Sequence, residues 1–187
     1  MTPSDARLQI RTISSLSEVS AEAWDACAGQ SNPFVKHGFL SALEDSGSAD
    51  AASGWAGQHV LLEEAESGAL VGAVPLYVKS HSYGEYVFDW GWADAYERAG
   101  GRYYPKGQVC VPFTPATGPR LLLGDSADAE TQRILGEAIV SVAGQLGLSG
   151  LHLTFPEKAE FDALGELGSF EQRLGLQYHW HNADYAS

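Results

Sequence analysis

Residues 75–120 read PLYVKSHSYGEYVFDWGWADAYERAGGRYYPKGQVCVPFTPATGPR. Nine of the chain's twenty aromatic residues fall between Tyr77 and Tyr104. Threaded among the rings are His81, Tyr83, Glu85, Asp89, Asp94, Tyr96, Arg102 and Lys106. A core segment would be aliphatic and nearly free of charge, and an ordinary loop would carry few Trp and Tyr. Rings mixed with carboxylates, a histidine and several glycines point to a lined pocket, in which apolar walls carry a few placed polar groups. The plainer reading is a surface-covering insertion whose rings cap a sheet. It leaves each acid in need of its own partner.

Elements on either side place this stretch. Residues 8–13 alternate apolar and polar and predict a strand. Ser20 predicts the start of a helix through Cys27, with Glu22 in the first turn. Asn32-Pro33 is a breaker, and residues 34–45 predict a second helix with Phe34, Phe39, Leu40 and Leu43 on one side. Its His37 reads as an exposed or capping residue. Residues 45–57, rich in Ser, Ala, Gly and Asp, predict a loop. Residues 59–64 and 70–79 predict an antiparallel hairpin turning at AESGA. Within the stretch, residues 85–90 predict a short strand, 93–99 a helix ended by Gly100-Gly101, 108–113 a strand and 114–119 a rigid turn. Residues 121–123 lead away from it. Asp125 or Ser126 then caps a long helix over 127–146, with Ile134, Leu135, Ala138, Ile139 and Val142 at helical spacing. A buried strand (151–155), an acidic helix (157–167) and a closing strand (172–182) complete the order. The expected fold is α/β: one mixed β-sheet flanked by helices on both faces. Strands 108–113 and 151–155 are expected to be parallel neighbours, because a single helix connects them.

The chain has 187 residues, 44% of them hydrophobic, which suits one globular domain. Its net charge is -13, from 24 acids against 11 bases. That argues against general nucleic-acid or anionic-membrane binding but leaves room for a phosphate-bearing ligand at one local basic spot. Cys27 and Cys110 are isolated and read as packed, reduced thiols of a cytoplasmic protein. There is no signal pattern and no apolar run long enough for a membrane span. Neither a G-x-S-x-G elbow nor a phosphate-binding G-x-x-x-x-G-K-[ST] loop is present, which counts against hydrolase and NTPase chemistry.

The element order is similar to the GCN5-related N-acetyltransferase fold. The runs HSYGEYVFDW (81–90), ADAYERAGGRYYPK (93–106) and VPFTPATGPRLL (111–122), with the late QYHWHN (177–182), resemble the FemAB-like acyltransferases, bacterial proteins of peptidoglycan biosynthesis or recognition. Gly107 departs from the pattern where a larger apolar residue is expected, and Ala116 where Val is usual. The resemblance implies acyl transfer to an amine, on a small-molecule or peptide acceptor such as a cell-wall precursor. It implies acyl-coenzyme A or aminoacyl-tRNA as donor, and no cofactor is assigned with certainty. The acetyltransferase phosphate cradle is replaced by Thr117-Gly118-Pro119-Arg120, a Gly-Pro turn similar to that of the Fem peptidyltransferases, whose donor is an aminoacyl-tRNA. Pro119 also removes one backbone donor. Such proteins carry two tandem units, so residues 1–187 are expected to be a single acetyltransferase-like domain, the first half of a longer protein. Alone it is expected to be catalytically silent, and to self-associate through an apolar patch at Tyr178, Trp180 and Tyr185.

The base candidates are His81, Glu85 and Asp89. On an extended strand Glu85 and Asp89 share a side, and desolvation by the rings would raise either pKa. Pairing with Arg102, Lys106 or Arg120 is the structural alternative. The substrate-binding candidates are Tyr83, Trp90, Trp92, Tyr104, Lys106, Thr114, Arg120, His179 and His181. His81, Glu85, Asp89 and Arg120 are expected to converge on a cleft walled by Trp90, Trp92 and Tyr104. His179 and His181 with Asp184 make a weak metal pattern, lacking a third His or a Cys pair, so no metal is expected. They read instead as a groove wall or a contact with the second unit. His152 reads as a satisfied core histidine. Two functions stay open: an acyltransferase domain, and a non-catalytic module that recognises a sugar or peptide by stacking on an aromatic groove.

Overall fold

The computed structural model describes residues 7–124, 128–176, 178 and 180–185. Its frame is one long bent hairpin. Strands β2 (Trp55–Gly57) and β3 (His59–Glu64) run up, and β4 (Leu70–Val74) and β5 (Leu76–Lys79) run back. β3 pairs antiparallel with β4, and β2 with β5. Pro75 interrupts the returning arm because it has no N–H to give the ladder. Each half of the hairpin then gathers its own neighbours. One sheet has the order β1-β3-β4-β7, with β1 Leu8–Ile13 and β7 Leu122–Leu123, and the other β2-β5-β6-β8, with β6 Lys106–Val109 and β8 Leu151–Leu153. The expected single sheet is therefore two sheets joined through the bent hairpin. The expected parallel pair is present: β6 and β8 run parallel, Gln108 opposite His152.

Helices cover both faces of the first sheet. α1 (Ala21–Ala28) is capped by Ser20, whose side chain accepts from the Ala23 N–H. After a 3-10 turn at Pro33–Val35, α2 (His37–Asp45) follows. Trp24, Cys27, Val35 and Leu40 from this layer pack on Leu61 and Ala73. The opposite residues of the same strands, Val60, Leu62 and Val74, meet Leu135, Ala138, Ile139 and Val142 of α4 (Ala129–Gln145) and Leu164 of α5 (Lys158–Glu166). Asp128 caps α4, its side chain accepting from the Thr131 N–H at 2.9 Å, and the expected caps Asp125 and Ser126 lie outside the described residues. Gly136 lets α5 approach α4, since a Cβ there would stand 2.8 Å from Leu167. Gly107 likewise leaves room for Leu151, which would lie 2.8 Å from a Cβ at that position.

Two expected strands and one expected side-chain environment differ. Residues 85–90 are not a strand: Tyr86 and Phe88 have φ of 59° and 53°, and α3 (Trp90–Arg98) begins within that range. The described residues of 172–182 form no strand, and the rings of Tyr178, Trp180 and Tyr185 stand exposed. His37 is partly buried, with Nε2 bonded to the Leu16 carbonyl at 2.9 Å. Both cysteines are free and buried, and burial pushes Cys27 up to about 11 and Cys110 up to about 12. No helix among the described residues is long and apolar enough to cross a membrane.

Glu160 on α5 ties the approach to β7 in place. Its carboxylate accepts from the backbone N–H groups of Arg120 and Leu121. Burial pushes its pKa up from 4.5 to about 7, against the pull of those bonds and of the Arg120 charge. A folded value above the unfolded one means that the stabilising contribution is fully present below about 4.5 and is lost as pH rises through about 7. Glu160→Gln is expected to flatten stability across that window by up to about 3 kcal/mol. Urea titrations at both ends of the window would show it, and an unchanged slope with pH would contradict it.

Candidate functional site

The second sheet has one apolar and one polar face. Leu76, Val109, Leu151 and Leu153 point toward α4. On the other side, alternation along the strands aligns Tyr77 and Lys79 of β5, Lys106 and Gln108 of β6, and His152 and Thr154 on and just after β8. The register sets Lys79 opposite Lys106, and Tyr77 opposite Gln108. Residues 80–105 and 110–120 fold over this polar face and bury it.

At its centre the Lys106 ammonium is 2.7 Å from Glu85 Oε2, 2.5 Å from Asp89 Oδ2 and 2.9 Å from Ser82 Oγ. His152 Nδ1 lies 3.4 Å from the same nitrogen. Tyr103 donates its hydroxyl to Asp89 Oδ2 at 2.7 Å, and Tyr104 shares a 2.7 Å hydrogen bond with Ser82. The Tyr103 and Tyr104 rings lie 5.5 and 5.8 Å from the ammonium. Lys79, also buried, sits 3.3 Å over the Trp55 ring and donates to the Tyr83 carbonyl, and burial lowers its pKa to about 8. Two lysines and two carboxylates thus balance charge beneath the surface.

The environments drive the two acids apart. For Glu85 burial is the largest influence and raises the pKa, which Lys106 only partly offsets. Burial also opposes ionisation of Asp89, but hydrogen bonds from Lys106, Ser82 and Tyr103 outweigh it and hold the carboxyl at about 2. One acid is kept ionised while the other is moved toward neutrality, a division of the kind used for acid–base work. Each keeps one buried oxygen without a partner, Oε1 of Glu85 and Oδ1 of Asp89. Tyr77 OH and Gln108 Oε1, on the same face of the sheet, are unpartnered as well. Unsatisfied buried polar atoms are rare in folded proteins, so their concentration here marks the face as a site.

The convergence of Glu85 and Asp89 has a different cause from the expected one. The left-handed residues Tyr86 and Phe88, with Gly84 at φ 81°, turn the chain so that the acids point inward while the rings point out. A left-handed non-glycine residue costs about 1–2 kcal/mol, which the Lys106 contacts offset. Tyr83, Tyr86, Phe88, Trp90, Trp92 and Tyr96 are all exposed, and Tyr83, Trp90 and Phe88 form a chain of ring contacts at 6.2 and 5.9 Å. The result is an aromatic surface over a closed polar cluster: Glu85 is 3% exposed, and Asp89 and Lys106 are 1%. An open cleft walled by Trp90, Trp92 and Tyr104 is not what the chain builds, because Lys106 draws both acids under the surface.

Two expected members lie elsewhere. His81 uses both ring nitrogens on backbone groups, Nε2 with the Ser53 carbonyl and Nδ1 with the Tyr83 N–H. Arg120 is fully buried, its guanidinium bonded to the carbonyls of Ala116, Gly118, Pro119 and Thr154. Thr114 closes its own turn on the Pro112 carbonyl. His179 lies outside the described residues, so its pairing with His181 is not described. Conversely, the reading of His152 as a core histidine is corrected: a third of its side chain is exposed and it borders the cluster. Ser82, Tyr103 and Lys79 were missed as well. The signal that could have found Lys79 and His152 is polar residues at every second position of three strands, Tyr77-x-Lys79, Lys106-x-Gln108 and His152-x-Thr154; Ser82 and Tyr103 lie in loops, outside that pattern. Ligand atoms of Glu85, Asp89 and His152 lie within 4.8 Å of one another, and the Lys106 ammonium stands among them as the local positive charge.

A mixed α/β domain with two sheets and helices on both faces is consistent with an acetyltransferase-like fold. The family comparison sharpens this: residues 15–187 match the FemAB-like family, described as peptidoglycan biosynthesis/recognition, and the chain belongs to it. No curated protein and no solved structure matched. The family places the chain in a peptidoglycan-related role, with a peptidoglycan precursor as the suggested substrate.

Proposed function

We propose that this domain joins an acyl or aminoacyl group to the amine of a peptidoglycan precursor, with Glu85 as the group that takes the amine proton. The observation that carries this reading is the Glu85–Lys106–Asp89 cluster, with its two carboxyls driven apart in pKa and one oxygen free on each. An attacking amine must lose a proton as the new amide bond forms, and the donor's leaving group takes a proton as the acyl bond breaks. Glu85 Oε1 is the acceptor for the first step. Asp89, held ionised by Lys106, keeps negative charge where an ammonium would dock. Tyr83, Phe88, Trp90 and Trp92 offer stacking surfaces to the sugar or peptide of the precursor. The donor is an acyl thioester or an aminoacyl ester, and the Gly118-Pro119 turn favours the second. Exposed Leu174, Leu176, Tyr178, Trp180 and Tyr185 support docking of a second acetyltransferase-like unit, or a second copy, on this side.

The closed state of the cluster favours a second reading, a recognition module that binds the precursor on the aromatic surface without reacting. Transfer assays with aminoacyl-tRNA and acyl-coenzyme A donors and a lipid-free muropeptide acceptor separate the two. Under the first reading Glu85→Gln keeps the fold and lowers the transfer rate by about a hundredfold or more. Wild-type turnover in that variant would remove Glu85 from the role. Acceptor binding with no turnover by the wild-type chain, alone and with an added second acetyltransferase-like unit, would leave recognition as the function.

A further inference from the structure

His152 faces two ways. Nδ1 points inward, 3.4 Å from the Lys106 ammonium and 3.6 Å from Asp89 Oδ2. Nε2 makes no hydrogen bond among the described residues, and a third of the side chain is exposed. The three ammonium protons go to Glu85, Asp89 and Ser82, but the positive charge is the nearer neighbour of Nδ1 and acts on the ring more strongly than Asp89 does, which favours the lone pair on Nδ1 and the ring proton on Nε2. Burial, then the Lys106 charge, push the His152 pKa down to about 4, with Arg173 adding to the effect. The ring therefore stays neutral at physiological pH, and the favoured tautomer presents its N–H outward. Arg173 is near enough for its charge to act on His152, and its guanidinium lies 5.3 Å over the exposed Trp92 ring. A neutral N–H donor and a guanidinium beside an aromatic wall make a local electropositive mouth on a chain of net charge -13. It borders the buried cluster on the side where Tyr103 meets His152, their ring centroids 6.1 Å apart.

We propose that His152 Nε2–H, with Arg173 beside it, binds the oxygen of the ligand that carries or develops negative charge. On the acyl-transfer reading, from which this part follows, that oxygen is the carbonyl of the acyl donor. A donor that is already aligned and cannot lose its proton stabilises a developing oxyanion without reorganisation. Neutral histidine does this where imidazolium would merely protonate the substrate.

The test needs no turnover. In the 15N-labelled chain, long-range ring correlations are expected to show His152 as the Nε2–H tautomer from about pH 8 to about pH 5. In Lys106→Met that tautomer is no longer favoured by a neighbouring cation, and both forms are expected to be populated. Acetate, as a small oxyanion probe, is expected to shift His152 Nε2 and Arg173 Nε together and saturably. His152→Phe, followed at Arg173, is expected to weaken acetate binding by about tenfold, the loss of one hydrogen bond to a charged group. His152→Gln, which keeps an N–H at similar reach, retains binding. An Nδ1–H tautomer in the wild type would overturn the proposal. So would acetate shifts that fail to saturate or that are the same in His152→Phe. The two readings fail separately: full transfer activity in His152→Phe removes the oxyanion role and leaves the transferase intact, whereas saturable acetate binding in a chain that transfers nothing keeps the site and removes the transferase.

Discussion

Lys106→Met is expected to destabilise the protein by about 3–5 kcal/mol at neutral pH, because it strands two carboxylates in a site closed to water. Glu85 and Asp89 each lose their charge-assisted contact, at 2.7 and 2.5 Å, and the methionine supplies no donor in return. The loss should depend on pH in a defined direction. In the wild type, Asp89 has its pKa depressed to about 2 from 3.8. Its contribution is present above the unfolded value and disappears as pH falls through about 2. Without Lys106 both carboxyls move up, and each proton they take on relieves the burial penalty. The difference between wild type and variant should therefore be largest near neutrality and shrink as pH falls toward the ordinary carboxyl range. Urea unfolding at several pH values measures it. The triple replacement Glu85→Gln, Asp89→Asn, Lys106→Met is expected to recover most of the loss, since neutral groups of the same shape remove the charges together. A loss below about 1 kcal/mol, the scale of an exposed pair, or one that does not change with pH, would show that the cluster is solvated.

Arg120→Met is expected to cost a similar amount, about 3–5 kcal/mol, for a different reason. Here the partners are neutral: the guanidinium satisfies the carbonyls of Ala116, Gly118, Pro119 and Thr154 with distances from 2.7 to 3.2 Å. It holds the turn at residues 116–119 against the end of β8. Gly118 belongs to the same tight arrangement, since a Cβ there would lie 1.9 Å from Asn32 Nδ2. Arg120→Lys is expected to rescue little, because one ammonium cannot reach carbonyls spread around a planar fork. Loss of the positive charge should also move the Glu160 carboxyl further up, so the midpoint of the Glu160-linked stability change shifts to higher pH. A lysine variant as stable as the wild type would show that charge alone matters at this position.

Much of the architecture was legible in the chain. The 3.6-residue spacing of Leu135, Ala138, Ile139 and Val142, the Ser20 cap and the apolar run of residues 70–79 report local periodicity and cap chemistry, which short segments carry by themselves. The parallel pairing of β6 with β8 followed from the single helix between them. The density of acids and rings in residues 75–120 also marks where the polar cluster forms, and pairing of its acids with Lys106 is one of the two readings that the residues themselves allow.

What the sequence by itself determined was therefore the inventory of the α/β domain and the segment that holds its chemistry. Only the tertiary structure decided how the hairpin divides at Pro75 into two sheets, because a missing ladder donor bends a strand only when neighbours compete for its two halves. It alone decided that Arg120 belongs to the interior and His152 to the mouth. An arginine's role depends on which carbonyls lie within reach of its fork, and those come from residues 116–119 and from Thr154. A histidine's role depends on the cation behind it, which arrives on another strand, 46 positions away in the chain. Side-chain period says which face a residue takes, and only the packing of residues 80–105 over that face says whether the face is core, surface or site.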